Sequence, residues 1–138
     1  MKKNIFALLA VVFLLAAFVS TPSHAADDLY FLAINDTLPD LSKETAPIRV
    51  DGITYIPCTI FDSRVVGSTL GVSYTQDRNA GTVTLYNQTQ LLEYNIGTGT
   101  AFSYSDGKTY AYPAVRRNGL AYVPASTACR YFGLTCSF

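Results

Sequence analysis

Ala46-Pro-Ile-Arg-Val-Asp-Gly-Ile-Thr-Tyr-Ile-Pro57 is matched further on by Pro113-Ala-Val-Arg-Arg-Asn-Gly-Leu-Ala-Tyr-Val-Pro124. Asp51-Gly52 and Asn118-Gly119 are the dipeptides of a two-residue hairpin, because a type I′ turn needs positive φ at both central positions. Closing the first turn sets Val50 opposite Ile53 and Ile48 opposite Tyr55. All four then share one face, with Arg49 and Thr54 on the other. The second copy sets Val115 opposite Tyr122 and Arg117 opposite Leu120. Pro57 and Pro124 stop the strands and can occupy the first turn of a helix. The repeated unit is therefore a hairpin followed by a short helix.

Helices follow both copies. Cys58 to Leu70 is expected to be helical, with Ile60, Phe61, Val65 and Leu70 as a buried stripe, a break near Val66-Gly67-Ser68, and Gly71 as a positive-φ cap. Ser126 to Phe132 is a two-turn helix capped by Gly133, and Leu134 to Phe138 is a closing strand. Between the repeats, Val72 and Tyr74, then Val83 and Leu85, then Leu92, Tyr94 and Ile96 alternate with polar residues. They read as a three-strand meander with one buried face. Leu29 to Ile34 reads as a strand, Asn35-Asp36 as a turn and Leu38 as the start of a return strand. The corresponding hairpin is 101–104, a turn at 105–108, and 109–112. Gly97-Thr-Gly-Thr100 lacks a following Lys and helix, so it reads as a turn and not a phosphate loop.

The pattern of Asp51-Gly52, Tyr55-Ile56-Pro57, Leu70-Gly71-Val72, Asn118-Gly119, Tyr122-Val123-Pro124 and Phe132-Gly133-Leu134 resembles the copper amine oxidase N-terminal-like (stalk) domain of secreted and cell-surface proteins of Gram-positive bacteria. The likeness spans nearly all of residues 27–138. Where many members follow the Pro with Leu-Arg, this chain has Cys58-Thr59 and Ala125-Ser126. The resemblance implies an exported module set apart from any catalytic domain. The expected fold is α+β, with mostly antiparallel strands and two related hairpin-plus-short-helix halves (about 29–75 and 101–138) joined by a meander over 82–96 and packed as one domain.

Residues 1–25 read as a secretory signal: Lys2-Lys3, fifteen apolar residues from Ile5 to Val19, then Ser23 and Ala25 at the −3 and −1 positions. A spanning helix needs about twenty apolar residues. Without the signal, eight basic residues face ten acidic ones. No stable membrane insertion is then expected, and no nucleic-acid partner, which would call for a basic patch. His24, the only histidine, leaves with the signal. That removes Ser-His-Asp and Cys-His catalysis and any His-based metal site, and the copper chemistry of the amine oxidases is not implied. No cofactor and no metal are expected.

Three cysteines remain. Cys129 and Cys136 bracket a helix cap, and such a turn can bring two Cα atoms to the ~4.4–6.8 Å that a disulfide needs. The other reading is a pair of buried thiols. Cys58, at a helix start, could carry a lowered thiol pKa, but no base stands near it in sequence, and a buried thiol beside the hairpin is the alternative. Asp51 and Asp106 belong to turns, while Glu44 and Glu93 have no partner at a recognisable spacing. Tyr55, Tyr74, Tyr94 and Tyr122 fall at inward strand positions. Tyr104, Tyr110 and Tyr112 do not, and they are the candidate binding surface. The leading expectation is a secreted, non-catalytic module contacting the cell envelope, such as a cell-wall polymer, or another secreted protein. The alternatives are a small extracellular hydrolase using carboxylates or Cys58, and a structural or vestigial stalk domain without a catalytic partner.

Overall fold

The computed structural model describes residues 32–138 apart from 63, 65 and 66. The signal, residues 29–31 of the strand expected over 29–34, and the inward role of Val65 lie outside the described residues. The described chain is mostly antiparallel β-sheet with little helix.

Both predicted hairpins form in the predicted register. β2 (Ile48–Val50) and β3 (Ile53–Pro57) pair Val50 with Ile53 and Ile48 with Tyr55. β9 (Val115–Arg117) and β10 (Leu120–Pro124) pair Arg117 with Leu120 and Val115 with Tyr122. Asp51, Gly52, Asn118 and Gly119 have φ of 50°, 80°, 51° and 76°, the signature of type I′ turns. The two hairpins join through β3 and β10 into one sheet of order β2-β3-β10-β9. Ile56 faces Val123, Tyr55 faces Pro124 and Pro57 faces Tyr122. Both faces of β3 and β10 are covered. Ile56, Ala121 and Val123 enter the main core, whereas Tyr55 and Tyr122 are buried outside it. The Tyr122 hydroxyl donates to the Glu44 carbonyl at 3.0 Å, so the segment leading into β2 lies over that face.

The meander is longer than its sequence suggested. β4 (Ser73–Asp77), β5 (Thr82–Tyr86), β6 (Leu91–Asn95), β7 (Thr100–Ser103) and β8 (Thr109–Tyr110) form one five-stranded sheet in sequence order. The hairpin over 101–112 continues it, because Tyr94 pairs with Ala101 and Leu92 with Ser103. Val83, Leu85, Leu92, Tyr94 and Ala101 point inward from this sheet to the core.

The expected helix over 58–70 divides. Cys58–Phe61 is a single 3-10 turn, and the α-helix α1 covers only Gly67–Leu70. A Cβ at Gly67 would strike the Phe61 carbonyl oxygen, so the chain there lies against its own backbone at a site only glycine fits. Gly71 closes α1 at φ +69° as expected. No return strand starts at Leu38, which is exposed. Asn35 and Asp36 both turn the chain at positive φ, and β1 (Ala33–Ile34) instead pairs with the closing strand β11 (Cys136–Ser137). Asn35 fixes that pairing: its amide donates to the Thr135 carbonyl, and its side-chain carbonyl accepts from the Thr135 amide.

Helix α2 (Ala125–Tyr131) follows Pro124 and buries Ala125, Ala128 and Cys129. Its end is a Schellman motif, with the Leu134 amide bonded to the Cys129 carbonyl and the Gly133 amide to the Arg130 carbonyl. Cys129 and Cys136 are bridged across this cap, their Cα atoms 6.3 Å apart.

Candidate functional site

Among the described residues, Tyr112 has the least comfortable backbone. Its φ is +67°. The other non-glycine residues at positive φ are Asn35, Asp36, Asp51 and Asn118, whose short polar side chains tolerate that region. An aromatic residue there is a genuine outlier, and the following Pro113 restricts it further. The ring is nevertheless 50% exposed. It lines a cleft of about 400 Å³ together with Arg49 and Thr54 of the first hairpin, Ser126 and Thr127 of α2, and Phe138.

Thr127 also lines a second cleft, of about 310 Å³, whose other walls include Asp106, Tyr110, Arg130 and Tyr131. The two clefts are thus joined through Thr127, which lines both, on the outer side of α2. Sequence periodicity produces that side: with Ala125, Ala128 and Cys129 turned inward, Ser126, Thr127 and Arg130 fall on the opposite stripe.

The second cleft is firmly built. The Tyr131 hydroxyl lies 2.7 Å from the fully buried Ser103 hydroxyl and donates to the Leu91 carbonyl at 3.2 Å. Gln90 Nε2 donates to the Tyr131 carbonyl at 2.7 Å, satisfying an orphan acceptor at the end of α2. Tyr110 packs edge-to-face on Tyr131, with centroids 5.3 Å apart, and its hydroxyl donates to Asp106 Oδ2 at 3.0 Å. The Ser103 hydroxyl, then the Tyr110 hydroxyl and the Lys108 amide, hold the Asp106 carboxyl below its usual range. Burial, then the Asp106 carboxylate, raises the Tyr110 pKa.

The three tyrosines expected to form one surface are divided. Tyr110 and Tyr112 line the joined clefts, while Tyr104 sits on the outer face of the five-stranded sheet. There it is 60% exposed, packs on Phe102 and donates to Glu93 Oε1 at 3.3 Å. The alternation of β7 explains this: Ala101 and Ser103 turn inward, so Phe102 and Tyr104 turn out. Of the tyrosines expected inside, Tyr55, Tyr94 and Tyr122 are buried. Tyr74 is only half-buried and lines a third cleft, of about 520 Å³, beside edge strand β4 with Asp62, Gln76 and Arg78.

Cys58 is fully buried and free. Burial pushes its thiol up to about 12, the reverse of the lowered value that a helix start suggested. Its Sγ contacts Gln76 Oε1 at 3.7 Å. Burial favours the protonated thiol at neutral pH, and its side chain packs within the core. Arg49, Thr127 and Arg130 were not singled out from the sequence. The available signal was the polar stripe of α2, Ser126, Thr127 and Arg130. Among the described residues no helix is long and apolar enough to cross a membrane, and no group of three or more His, Cys, Asp and Glu side chains is placed to hold a metal ion. No family model, curated protein or solved structure matches the chain.

Proposed function

We propose that the protein is a secreted, non-catalytic, stalk-like module that binds the cell envelope or a protein partner through the joined clefts along α2. The observation that carries this reading is Tyr112, an aromatic residue held at a strained φ and half-exposed at the wall of a cleft. Strain of this kind costs ~1–3 kcal/mol and persists where the surrounding structure over-determines it, which is most often at ligand sites. The walls add rings, hydroxyls and arginines, the groups of a binding surface. The single side-chain carboxylate among them, Asp106, is engaged by Tyr110 and Lys108. A general acid or base would need a partner poised to titrate near neutral pH.

The Cys129–Cys136 bridge fits an oxidising compartment, in keeping with export directed by residues 1–25. Support for two related halves in an α+β domain, and through them for the stalk-like family, comes from the β3–β10 pairing. There, equivalent residues of the two copies meet: Ile56 with Val123, and each Tyr with the other copy's Pro.

The test is a pull-down of host cell-wall fractions and secreted proteins with the purified protein, run beside a general hydrolase screen. Retention of wall material or one protein, with no turnover, is expected. Activity that survives purification and vanishes with one carboxylate variant contradicts the reading, and failure to retain anything favours a structural remnant.

A further inference from the structure

Two of the arginines stand in the joined clefts. Residues 26–138 carry eight basic and ten acidic side chains, yet each cleft presents an arginine, Arg49 in one and Arg130 in the other. Neither makes an ion pair among the described residues. Arg49 donates only to the Gly52 carbonyl of its own turn, at 3.4 Å. Asp106 is the lone lining side-chain carboxylate, and it is occupied by Tyr110 and, at 4.0 Å, by Lys108. The arginines are thus available to an external anion.

Their surroundings narrow the ligand. Tyr112 presents an exposed ring, Tyr110 a half-buried one, and Thr54, Ser126 and Thr127 supply hydroxyls between them. Flat rings beside hydroxyls and guanidinium forks suit a hydrated chain with alternating apolar faces and polar edges. An apolar side-chain anchor would want a deep, dry pocket instead. Guanidinium recognises carboxylate and phosphate through paired N–H bonds. The backbone that carries Arg130 is held by its neighbours, since Cys129 is bridged to Cys136 and Tyr131 is tied to Ser103, Leu91 and Gln90. That fixed placement reduces the ordering cost of binding.

Resting on the binding-module reading above, we propose that the joined clefts bind an anionic glycan, a sugar chain bearing carboxylate or phosphate groups. Sugar rings lie against Tyr112 and Tyr110, the anions meet Arg49 and Arg130, and Thr127 marks the junction between the two subsites.

The experiment is affinity electrophoresis of the purified protein through gels containing polygalacturonate, phosphomannan, dextran or polyglutamate. Polygalacturonate and phosphomannan distinguish the two sources of anion. The expected result is retardation by at least one of these two and none by dextran. Arg130→Gln and Tyr112→Gly should each weaken it about tenfold, the loss expected for one charge-assisted contact or one ring. Arg130→Lys should restore part of the loss, and Tyr104→Ala, on the far sheet face, should leave binding unchanged. Thermal midpoints measured on each variant separate lost binding from lost fold. The proposal is overturned if neither anionic glycan retards the protein, or if polyglutamate retards it equally and Tyr112→Gly makes no difference. If the unsubstituted protein retains wall material, Tyr112→Gly loses it and neither anionic glycan retards the protein, the proposal fails while the binding-module reading stands.

Discussion

Ile56 and Val123, corresponding residues of the two repeated segments, face each other across the β3–β10 ladder. The pairs on either side are also exchanged equivalents, Tyr55 with Pro124 and Pro57 with Tyr122. A local two-fold relation therefore runs through the middle of the four-stranded sheet, and the 3-10 turn and α2 leave from its two sides.

That sheet depends on its tight turns. Gly119 sits at φ +76° with open space around it, so the obstacle to substitution there is backbone conformation alone. Gly119→Val is expected to lower stability by more than ~1 kcal/mol, because a β-branched residue tolerates that region poorly. Chemical denaturation checks it, and an unchanged midpoint contradicts the turn assignment.

Gly67 presents the other kind of glycine requirement. Its φ needs no special freedom, but a Cβ would strike the Phe61 carbonyl and the Asp62 carbonyl carbon. Gly67→Ala should therefore destabilise by ~1–3 kcal/mol, the usual cost of overpacking. A denaturation midpoint within error of the unsubstituted protein would show that the backbone yields easily there.

Tyr94 is expected to move stability the other way. Its hydroxyl is buried with no hydrogen-bond partner among the described residues, and burial raises its pKa. Tyr94→Phe removes a desolvated polar group and should stabilise by up to ~1 kcal/mol. A clear loss of stability would show that the hydroxyl is satisfied in solution.

Alkaline pH tests the Cys58 environment. Its thiol is raised from 9.0 to about 12 by burial. The folded state thus favours the protonated form, and the corresponding stability is complete below pH 9 and lost as pH rises toward 12. Buried tyrosines add a loss in the same direction at higher pH. Cys58→Ala should flatten the early part of the decline, and native Cys58 should resist alkylation near pH 8. Rapid alkylation of the folded protein contradicts the assigned burial.

Much of the fold was legible because the residues that specify it act locally. Asp51-Gly52 and Asn118-Gly119 dictate their turns, and register follows from the turn, so β2–β3 and β9–β10 were readable residue by residue. The Cys129–Cys136 bridge was readable for the same reason, as it spans a single helix cap. What was hidden depends on distant partners. Nothing near Ala33 announces Ser137 as its partner, and nothing near Ser103 announces that β7 extends the meander. The split at Gly67 depends on where the Phe61 carbonyl lies. The site was half legible: Tyr110 and Tyr112 stood out as tyrosines without an inward position. Arg49 and Arg130 became relevant only once the fold placed each in a cleft lined by Thr127.

On the function proposed above, Tyr112 is kept at a strained φ for binding. The most direct measurement pairs cosedimentation with isolated cell envelope and a thermal midpoint, both on Tyr112→Gly. Glycine relieves the strain at φ +67° while deleting the ring. The expected result is a midpoint equal to or above that of the unsubstituted protein, together with loss of cosedimentation. A Tyr112→Gly protein that sediments as fully as the unsubstituted one, whatever its midpoint, would contradict it.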